Sequence, residues 1–119
     1  MANSARRRAL VIEDEMLIGM LLEDMLADLG HVVVAVIPRV EQALAAVSGE
    51  TFDYAIVDVH LNGQSALPVA DALIERGVPF VFATGYGQRG LPDKYAGHPV
   101  LPKPFAKDDL DKALRDLLP

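Results

Sequence analysis

Carboxylates, a hydroxyl and a lysine follow short apolar segments in this 119-residue chain. Glu13 and Asp14 come directly after the first apolar segment, and Asp58 ends the third. Thr84 and Lys103 follow two later segments. Apolar runs that stop at a turn signal are typical of strands buried on both faces of a parallel sheet. We therefore expect these side chains to meet at the edge of a sheet where its strands end.

The residue types at this edge predict phosphoryl chemistry. Crowded carboxylates repel one another and need a cation, and oxygen-only ligands favour Mg²⁺, which also contacts phosphate oxygens. A carboxylate can attack phosphorus and form an acyl phosphate. The charge that develops needs a further cation and hydrogen-bond donors directed at the phosphate oxygens. Lys103 supplies a positive charge and Thr84 a hydroxyl.

Segments with strand and helix patterns alternate along the chain, which predicts a parallel sheet covered by helices on both faces. Apolar runs predict strands at 9–12, 32–37, 54–58, 78–83 and 100–101. Apolar residues at helical spacing predict helices across 18–29, 40–47, 67–74 and 110–117. Gly30 and Gly77 end the first and third of these helices. We expect an α/β, flavodoxin-like, doubly wound five-stranded parallel sheet of order 2-1-3-4-5, in which ligands bind where the strand order reverses.

The segment between the fourth and fifth strands is poor in helix formers. Four glycines and one proline fall within residues 85–97. Each interior glycine costs about 1 kcal/mol relative to alanine, and a proline costs about 3 kcal/mol. The sequence therefore predicts that helix 4 is shortened or replaced by a loop, with at most one or two helical turns near residues 92–96.

Composition limits the class of protein. The length suits a single domain, which we assign to residues 1–119, with residues 1–8 as a flexible N-terminal tail. The net charge of −6 argues against a nucleic-acid surface. The longest apolar run is much shorter than the ~18 residues that a membrane span needs. With no cysteine the chain lacks disulfides and thiolate metal sites, and we expect a cytoplasmic location with no membrane partner.

The order of the polar residues resembles the receiver domain of two-component response regulators, over nearly the whole chain. The resemblance rests on Glu13-Asp14, Asp58, Thr84 and Lys103-Pro104, each after the matching strand. It implies that Asp58 is the phosphoacceptor and is modified by phosphorylation. It also implies that Lys103 pairs with the phosphoryl group and that Thr84 bonds to it. The peptide bond that matches Lys103-Pro104 is usually cis in this family.

The same resemblance implies a Mg²⁺ site. Asp14, Asp58 and the backbone carbonyl of His60 would bind the ion directly, and Glu13 would act through water. The imidazole of His60 is interpreted as a rim group, because oxygen ligands suit Mg²⁺ better than nitrogen ligands do. His31 and His98 lie near the predicted strand starts, away from this edge, and are assigned no chemistry.

The stretch Phe82-Ala-Thr-Gly-Tyr86 resembles the motif of the FAT GUY subgroup of receivers. That subgroup is associated with histidine kinases of the HWE and related families. Its members tend to have an altered fourth helix, which agrees with the glycine-rich segment described above. Gly85 and Tyr86, which follow Thr84, and Pro104, which follows Lys103, are predicted to flank the site.

Position 100 departs from the receiver pattern. Typical receivers carry Tyr or Phe three residues before the lysine, and its rotation reports phosphorylation. Here that position is Val100. We therefore expect switching to use residues 84–96, as an order–disorder change or a shift in population.

These residues together predict a phosphoacceptor response regulator of a two-component or phosphorelay system. Its expected partners are a sensor histidine kinase, of HWE type by the FAT GUY resemblance, or a phosphotransfer protein, and an unidentified downstream protein. Signalling would use protein–protein contacts. The only expected reactions are self-phosphorylation from phosphohistidine and slow autodephosphorylation. The start at Met1 favours a single-domain protein over a receiver excised from a longer chain.

Two other functions fit parts of the pattern. A metal-dependent phosphatase-like enzyme would also use a nucleophilic aspartate, but it usually carries a second carboxylate two residues later, where this chain has His60. A pseudo-receiver would bind partners without phosphorylation, and Val100 with the altered loop keeps that alternative open. Taken singly, Asp58 suits a turn, Thr84 a strand end and Lys103 a solvated surface. The set in this order favours the receiver.

Overall fold

Strands and helices alternate along the chain in a computed structural model that describes residues 6–85 and 91–118. The strands are β1 (Arg8–Ile12), β2 (Val32–Ile37), β3 (Tyr54–Asp58), β4 (His60–Leu61), β5 (Gln64–Ser65), β6 (Phe80–Thr84) and β7 (Val100–Pro102). The helices are α1 (Met16–Asp28), α2 (Val40–Gly49), α3 (Leu67–Arg76), α4 (Lys107–Leu117) and a short 3-10 helix (Asp93–Tyr95). None of the described helices combines the length and apolar character that a membrane crossing needs.

Five of these strands form one parallel sheet in the order β2-β1-β3-β6-β7. This confirms the predicted fold and strand order, since β6 and β7 are the fourth and fifth strands of the sequence prediction. The remaining strands, β4 and β5, pair antiparallel as a small separate hairpin directly after β3. This hairpin was not among the elements predicted from the sequence.

Alternate residues of the central strands pack on opposite faces of the sheet, as the two-residue period of a strand requires. One face packs against α2 and α3 through Leu10, Ile12, Val57, Phe80 and Phe82. The other face packs against α1 and α4 through Val11, Tyr54, Ile56, Val81 and Leu101. Because both faces are covered, the carboxyl edge is where polar side chains at the strand ends can meet solvent.

Left-handed glycines end two helices as predicted. Gly30 follows α1 with φ of 87°, and Gly77 follows α3 with φ of 70°. The backbone N–H of Val78 then donates to the carbonyl of Leu73, 3.0 Å away. Val78 therefore belongs to the helix terminus, and β6 begins at Phe80 rather than at residue 78 as the sequence predicted.

Smaller boundary differences also have local causes. Arg8, placed in the N-terminal tail by the sequence, is the first residue of β1, and its N–H donates to Asp53 Oδ2 at 2.7 Å. At the other end of the sheet, β6 extends to Thr84, whose carbonyl accepts a hydrogen bond from the Lys103 N–H at 2.9 Å.

The segment after β6 agrees with the predicted loss of helix 4. Among its described residues, regular helix is limited to the 3-10 turn at Asp93–Tyr95, and Tyr95 is buried. Residues 86–90 lie outside the described chain.

Candidate functional site

Asp58 is held at the carboxyl edge by a strand that is buried along its whole length. β3 lies between β1 and β6, and Asp58 is paired in register with Ala83 of β6. Its side chain is close to fully buried, with 7% of the residue exposed. The backbone N–H of His60 donates to Asp58 Oδ1 at 3.3 Å. A rigid element therefore presents this carboxylate at a fixed place.

Two further carboxylates come from the end of β1. The N–H of Glu13 donates to the carbonyl of Ile37 at 3.0 Å, which fixes the chain as it leaves the sheet. Glu13 is buried and Asp14 is half-buried. Carboxylate oxygens of Glu13, Asp14 and Asp58 lie within 4.8 Å of one another. The fold thus gathers the three predicted acidic residues into one oxygen cluster.

Lys103 bridges two of these carboxylates from the end of β7. Its Nζ lies 3.0 Å from Glu13 Oε1 and 3.2 Å from Asp58 Oδ2. The Lys103–Pro104 peptide bond is cis, as the resemblance implies. Pro104 is exposed, whereas Lys103 is half-buried. The ammonium group is therefore placed directly beside the candidate nucleophile.

Burial and neighbouring groups shift the pKa values of Glu13, Asp14 and Lys103. Burial, followed by the hydrogen bond with Asp58, raises the pKa of Glu13 to about 7. Burial lowers the pKa of Lys103, but the hydrogen bond with Glu13 and the charge of Asp58 outweigh it, so the net pKa is raised. Burial raises the pKa of Asp14, but hydrogen bonds, led by that from the Asn62 N–H, bring it below its ordinary value. The cluster strongly favours a cation.

Asn62 is a site residue that was not predicted from the sequence. It lies at the tip of the β4–β5 hairpin with φ of 50°. Its N–H donates to Asp14 Oδ2 at 2.8 Å, and its Nδ2 donates to the Pro38 carbonyl at 3.1 Å. The dipeptide Asn62-Gly63 is a strong signal for a two-residue hairpin and could have identified this turn.

The remaining predicted site residues lie on the β6 side. Thr84 is the last residue of β6, next to β3 in the sheet, and is buried. Gly85 follows it and is exposed. Tyr86 lies outside the described residues. His60 is exposed on the β4–β5 hairpin. Its side chain is therefore close to Asp58 in sequence but is not buried in the site.

The two other described histidines lie elsewhere. His31 Nδ1 lies 2.8 Å from the Tyr54 hydroxyl at the amino edge of the sheet. The ring of His98 stacks on Phe80, with the ring centroids 4.7 Å apart.

The donor set fits Mg²⁺. The cluster consists of carboxylate oxygens, which this hard cation prefers, and their mutual spacing allows one ion to contact more than one of them. Asp14 and Asp58 are the residues that would hold it, with Glu13 beside them.

Residues 9–115 match the family described as the response regulator receiver domain. The chain belongs to this family. The two-component response regulator PhoP of Pseudomonas aeruginosa is 34% identical over 116 residues, which cover 93% of this chain and 51% of that protein. The chain spans about half the length of the curated relatives it matches. The narrower resemblance to the FAT GUY subgroup stays a prediction.

Solved receiver structures share the fold over nearly the whole chain. SdrG of Sphingomonas melonis Fr1 is 44% identical, with a TM-score of 0.85 and coverage of 95% of this chain and 97% of that one. The BeF3-activated conformation of SdrG, from Pseudomonas melonis Fr1, has the same identity and coverage with a TM-score of 0.80. The receiver domain of Erythrobacter litoralis PhyR is 31% identical, with a TM-score of 0.81 and coverage of 93% and 88%.

Proposed function

We propose that this receiver accepts a phosphoryl group on Asp58 from a phosphohistidine of a partner protein. The observation that carries the proposal is the bridging ammonium: Lys103 Nζ lies 3.2 Å from Asp58 Oδ2, inside a cluster of three carboxylates. An Asp58 oxygen forms the new P–O bond as the P–N bond to the donor histidine breaks, and the imidazole leaves with the electron pair of that bond.

Each neighbouring group has a role in this transfer. Lys103 turns from Glu13 towards a phosphoryl oxygen, a short movement because it already contacts Asp58. Thr84, on the next strand, donates its hydroxyl to another phosphoryl oxygen. Asp14, Asp58 and the His60 carbonyl would hold Mg²⁺, and Glu13 would act through water. When bound, Mg²⁺ neutralises the carboxylates and the phosphoryl oxygens.

Relatives support a phosphorylation-dependent receiver. SdrG, which is 44% identical, has been solved in a BeF3-activated conformation. Beryllofluoride mimics a phosphoryl group on a carboxylate, so a relative of the same fold that is activated by it supports a phosphoacceptor role for this chain. We infer the same response for this chain.

An apolar surface beside the site supports a protein as the phosphoryl donor. The outer face of α1 exposes four large hydrophobic residues, Met16, Leu17, Met20 and Leu21. It adjoins a groove of about 260 Å³ lined by Ile18, Leu21, Lys103, Pro104 and Phe105. Exposed apolar patches of this kind mark interaction sites. Because Lys103 lines the groove, a sensor kinase or phosphotransfer protein seated there brings its histidine to Asp58.

The phosphoacceptor role of Asp58 also determines how the signal ends and how it is passed on. Hydrolysis of the acyl phosphate is a slow reaction of the protein on itself, without a free substrate. Output passes to a downstream protein through contacts that change on phosphorylation. The HWE-type kinase and the cytoplasmic location expected from the sequence stay predictions.

A beryllofluoride titration with Mg²⁺, followed by amide NMR, tests the proposal. Wild type should show saturable shifts at Asp14, Asp58 and Lys103 that need both reagents. Asp58→Asn should abolish them. Asp53→Asn, a matched loss of carboxylate at the opposite edge of the sheet, should leave them unchanged.

Two results would contradict the proposed function. If wild type shows no Mg²⁺-dependent shifts, the pseudo-receiver becomes the better account. If instead the protein turns over a free phosphate ester and Asp58→Asn stops that turnover, the phosphatase-like alternative is correct.

A further inference from the structure

An aromatic ring packs beside β6 although position 100 carries valine. Val100 of β7 is paired in register with Phe82 of β6. The ring of Tyr95, from the 3-10 helix, lies edge-on to Phe82, with centroids 5.6 Å apart and planes at 83°. Tyr95 is 2% exposed. A tyrosine from a different element is therefore buried next to the position where the coupling aromatic is absent.

The hydroxyl of Tyr95 is anchored to α3. It donates to Asp71 Oδ1 at 2.6 Å. Lys94 Nζ lies 3.3 Å from the same oxygen and 5.0 Å from the centre of the Tyr95 ring. The hydrogen bond from Tyr95, supported by Lys94, holds the pKa of the Asp71 carboxyl below its ordinary value. A charge-assisted bond of this kind is stronger than one between neutral groups.

The Tyr95–Asp71 hydrogen bond is linked to both sides of the phosphorylation site. Phe82 and Thr84 are two residues apart on β6, so their side chains lie on the same face of the sheet. A movement of Thr84 towards a phosphoryl oxygen therefore acts on the face that Tyr95 covers. On the other side, the N–H of Ala66, just before α3, donates to the carbonyl of Val59 at 2.7 Å, one residue after Asp58.

We propose that Tyr95 couples phosphorylation to the outer surface of the receiver, with its bond to Asp71 stabilising the unphosphorylated arrangement. The inference rests on the proposed function, because it needs Thr84 to bind the phosphoryl group. When Thr84 does so, Phe82 and Tyr95 repack and the Tyr95–Asp71 bond opens. Asp71, Lys94 and the 3-10 helix then present a changed surface to a downstream protein. The phosphoryl group selects between two arrangements that exist beforehand.

Fluorine NMR of protein labelled with 3-fluorotyrosine reports Tyr95 directly. The chain has three tyrosines, so single Tyr→Phe variants assign every signal. Beryllofluoride with Mg²⁺ should move the Tyr95 signal towards that of a solvent-exposed tyrosine. The Tyr54 signal should stay unchanged, since Tyr54 lies on the opposite edge of the sheet.

Variants separate coupling from simple packing. Tyr95→Phe keeps the ring and removes the bond to Asp71, so it should tighten beryllofluoride binding roughly threefold to tenfold, the effect expected for one hydrogen bond to a charged group that solvent partly screens. Asp71→Asn, which leaves Tyr95 intact, should act in the same direction. Tyr54→Phe is the matched control: it removes another buried tyrosine hydroxyl, bonded to His31 at 2.8 Å, and should leave the affinity unchanged.

The outcomes distinguish this inference from the proposed function. Beryllofluoride binding at Asp58 with an unmoved Tyr95 signal, and equal affinities for Tyr95→Phe and Tyr54→Phe, would overturn the coupling role and leave the phosphoacceptor role intact. If beryllofluoride does not bind wild type at all, both fail. A shifted Tyr95 signal with tighter binding in both Tyr95→Phe and Asp71→Asn supports the coupling.

Discussion

The two edges of the sheet differ in how their polar and charged groups are arranged. At the carboxyl edge, three carboxylates lie within 4.8 Å of one another, and one lysine bridges two of them. At the amino edge, polar groups are matched in pairs: the Tyr54 hydroxyl lies 2.8 Å from His31 Nδ1, and the Arg8 N–H donates to Asp53 at 2.7 Å. The first edge concentrates like charge, whereas the second satisfies its polar groups locally.

This difference indicates which edge of the sheet serves ligand binding. Burial and the neighbouring Asp58 raise the pKa of Glu13 to about 7, which means that the folded protein holds this carboxylate in an unfavourable place. Groups of this kind destabilise a fold, and proteins retain them mainly where function requires them. Changes at the carboxyl edge should therefore alter ligand responses as well as stability, whereas changes at the amino edge should alter stability alone.

Removal of the bridging lysine should have the largest effect on stability. Lys103→Met leaves the Glu13 and Asp58 carboxylates without their cationic partner, and it should lower the free energy of unfolding by about 2 kcal/mol in the absence of Mg²⁺. This is less than for a fully buried pair, because part of the lysine side chain is exposed, 18% of it. Urea denaturation at pH 7 measures the change.

The double variant Lys103→Met with Glu13→Gln provides the control. It removes one of the two uncompensated carboxylates, so part of the lost stability should return. A single variant as stable as wild type would show that the lysine does not hold the cluster together.

Magnesium should give a smaller effect that is confined to the carboxyl edge. A ligand that binds only the folded state at ten times its Kd stabilises it by about 1.4 kcal/mol. Wild type should gain this amount with Mg²⁺, as thermal unfolding at increasing MgCl₂ would show, and Asp14→Asn should lose most of the gain. Asp53→Asn should lower the starting stability but keep the full response. An equal gain in Asp14→Asn would place the ion elsewhere.

The sequence predicted the parts of the fold that depend on local pattern. Buried parallel strands are continuous apolar runs, so β3 could be bounded at both ends from its residues alone. The start of β6 could not, because Val78 has a strand-forming side chain but its N–H is used to end α3. In the described part of the glycine-rich segment after β6, the prediction that a full helix is absent is confirmed, since interior glycines oppose helix formation whatever the fold.

The site was predictable where residues follow strand ends and not where they depend on long-range contacts. Asp58 and Lys103 meet because parallel strands share one carboxyl edge, which is a rule of topology. Asn62 reaches Asp14 across 48 positions of the chain, and Tyr95 reaches Asp71 across 24. No local pattern encodes such pairs. The absence of an aromatic at Val100 was visible in the sequence, but the ring beside Phe82 was not.

The smallest expected effect is a pH dependence at the amino edge. Burial, together with the charge of Arg7, lowers the pKa of His31 below its ordinary 6.5, so the unfolded chain binds a proton more readily than the folded one. His31 therefore favours folding fully above about pH 6.5, and this contribution is lost as the pH falls towards the lowered value. The pKa of Glu13 is raised, so its contribution to folding stability changes with pH in the opposite direction. Urea denaturation between pH 7.5 and 5 is therefore best compared in a Glu13→Gln background. In that background the free energy of unfolding should fall on acidification, and His31→Gln should reduce this pH dependence. If His31→Gln leaves the pH dependence unchanged, the amino edge is not sensitive to protonation.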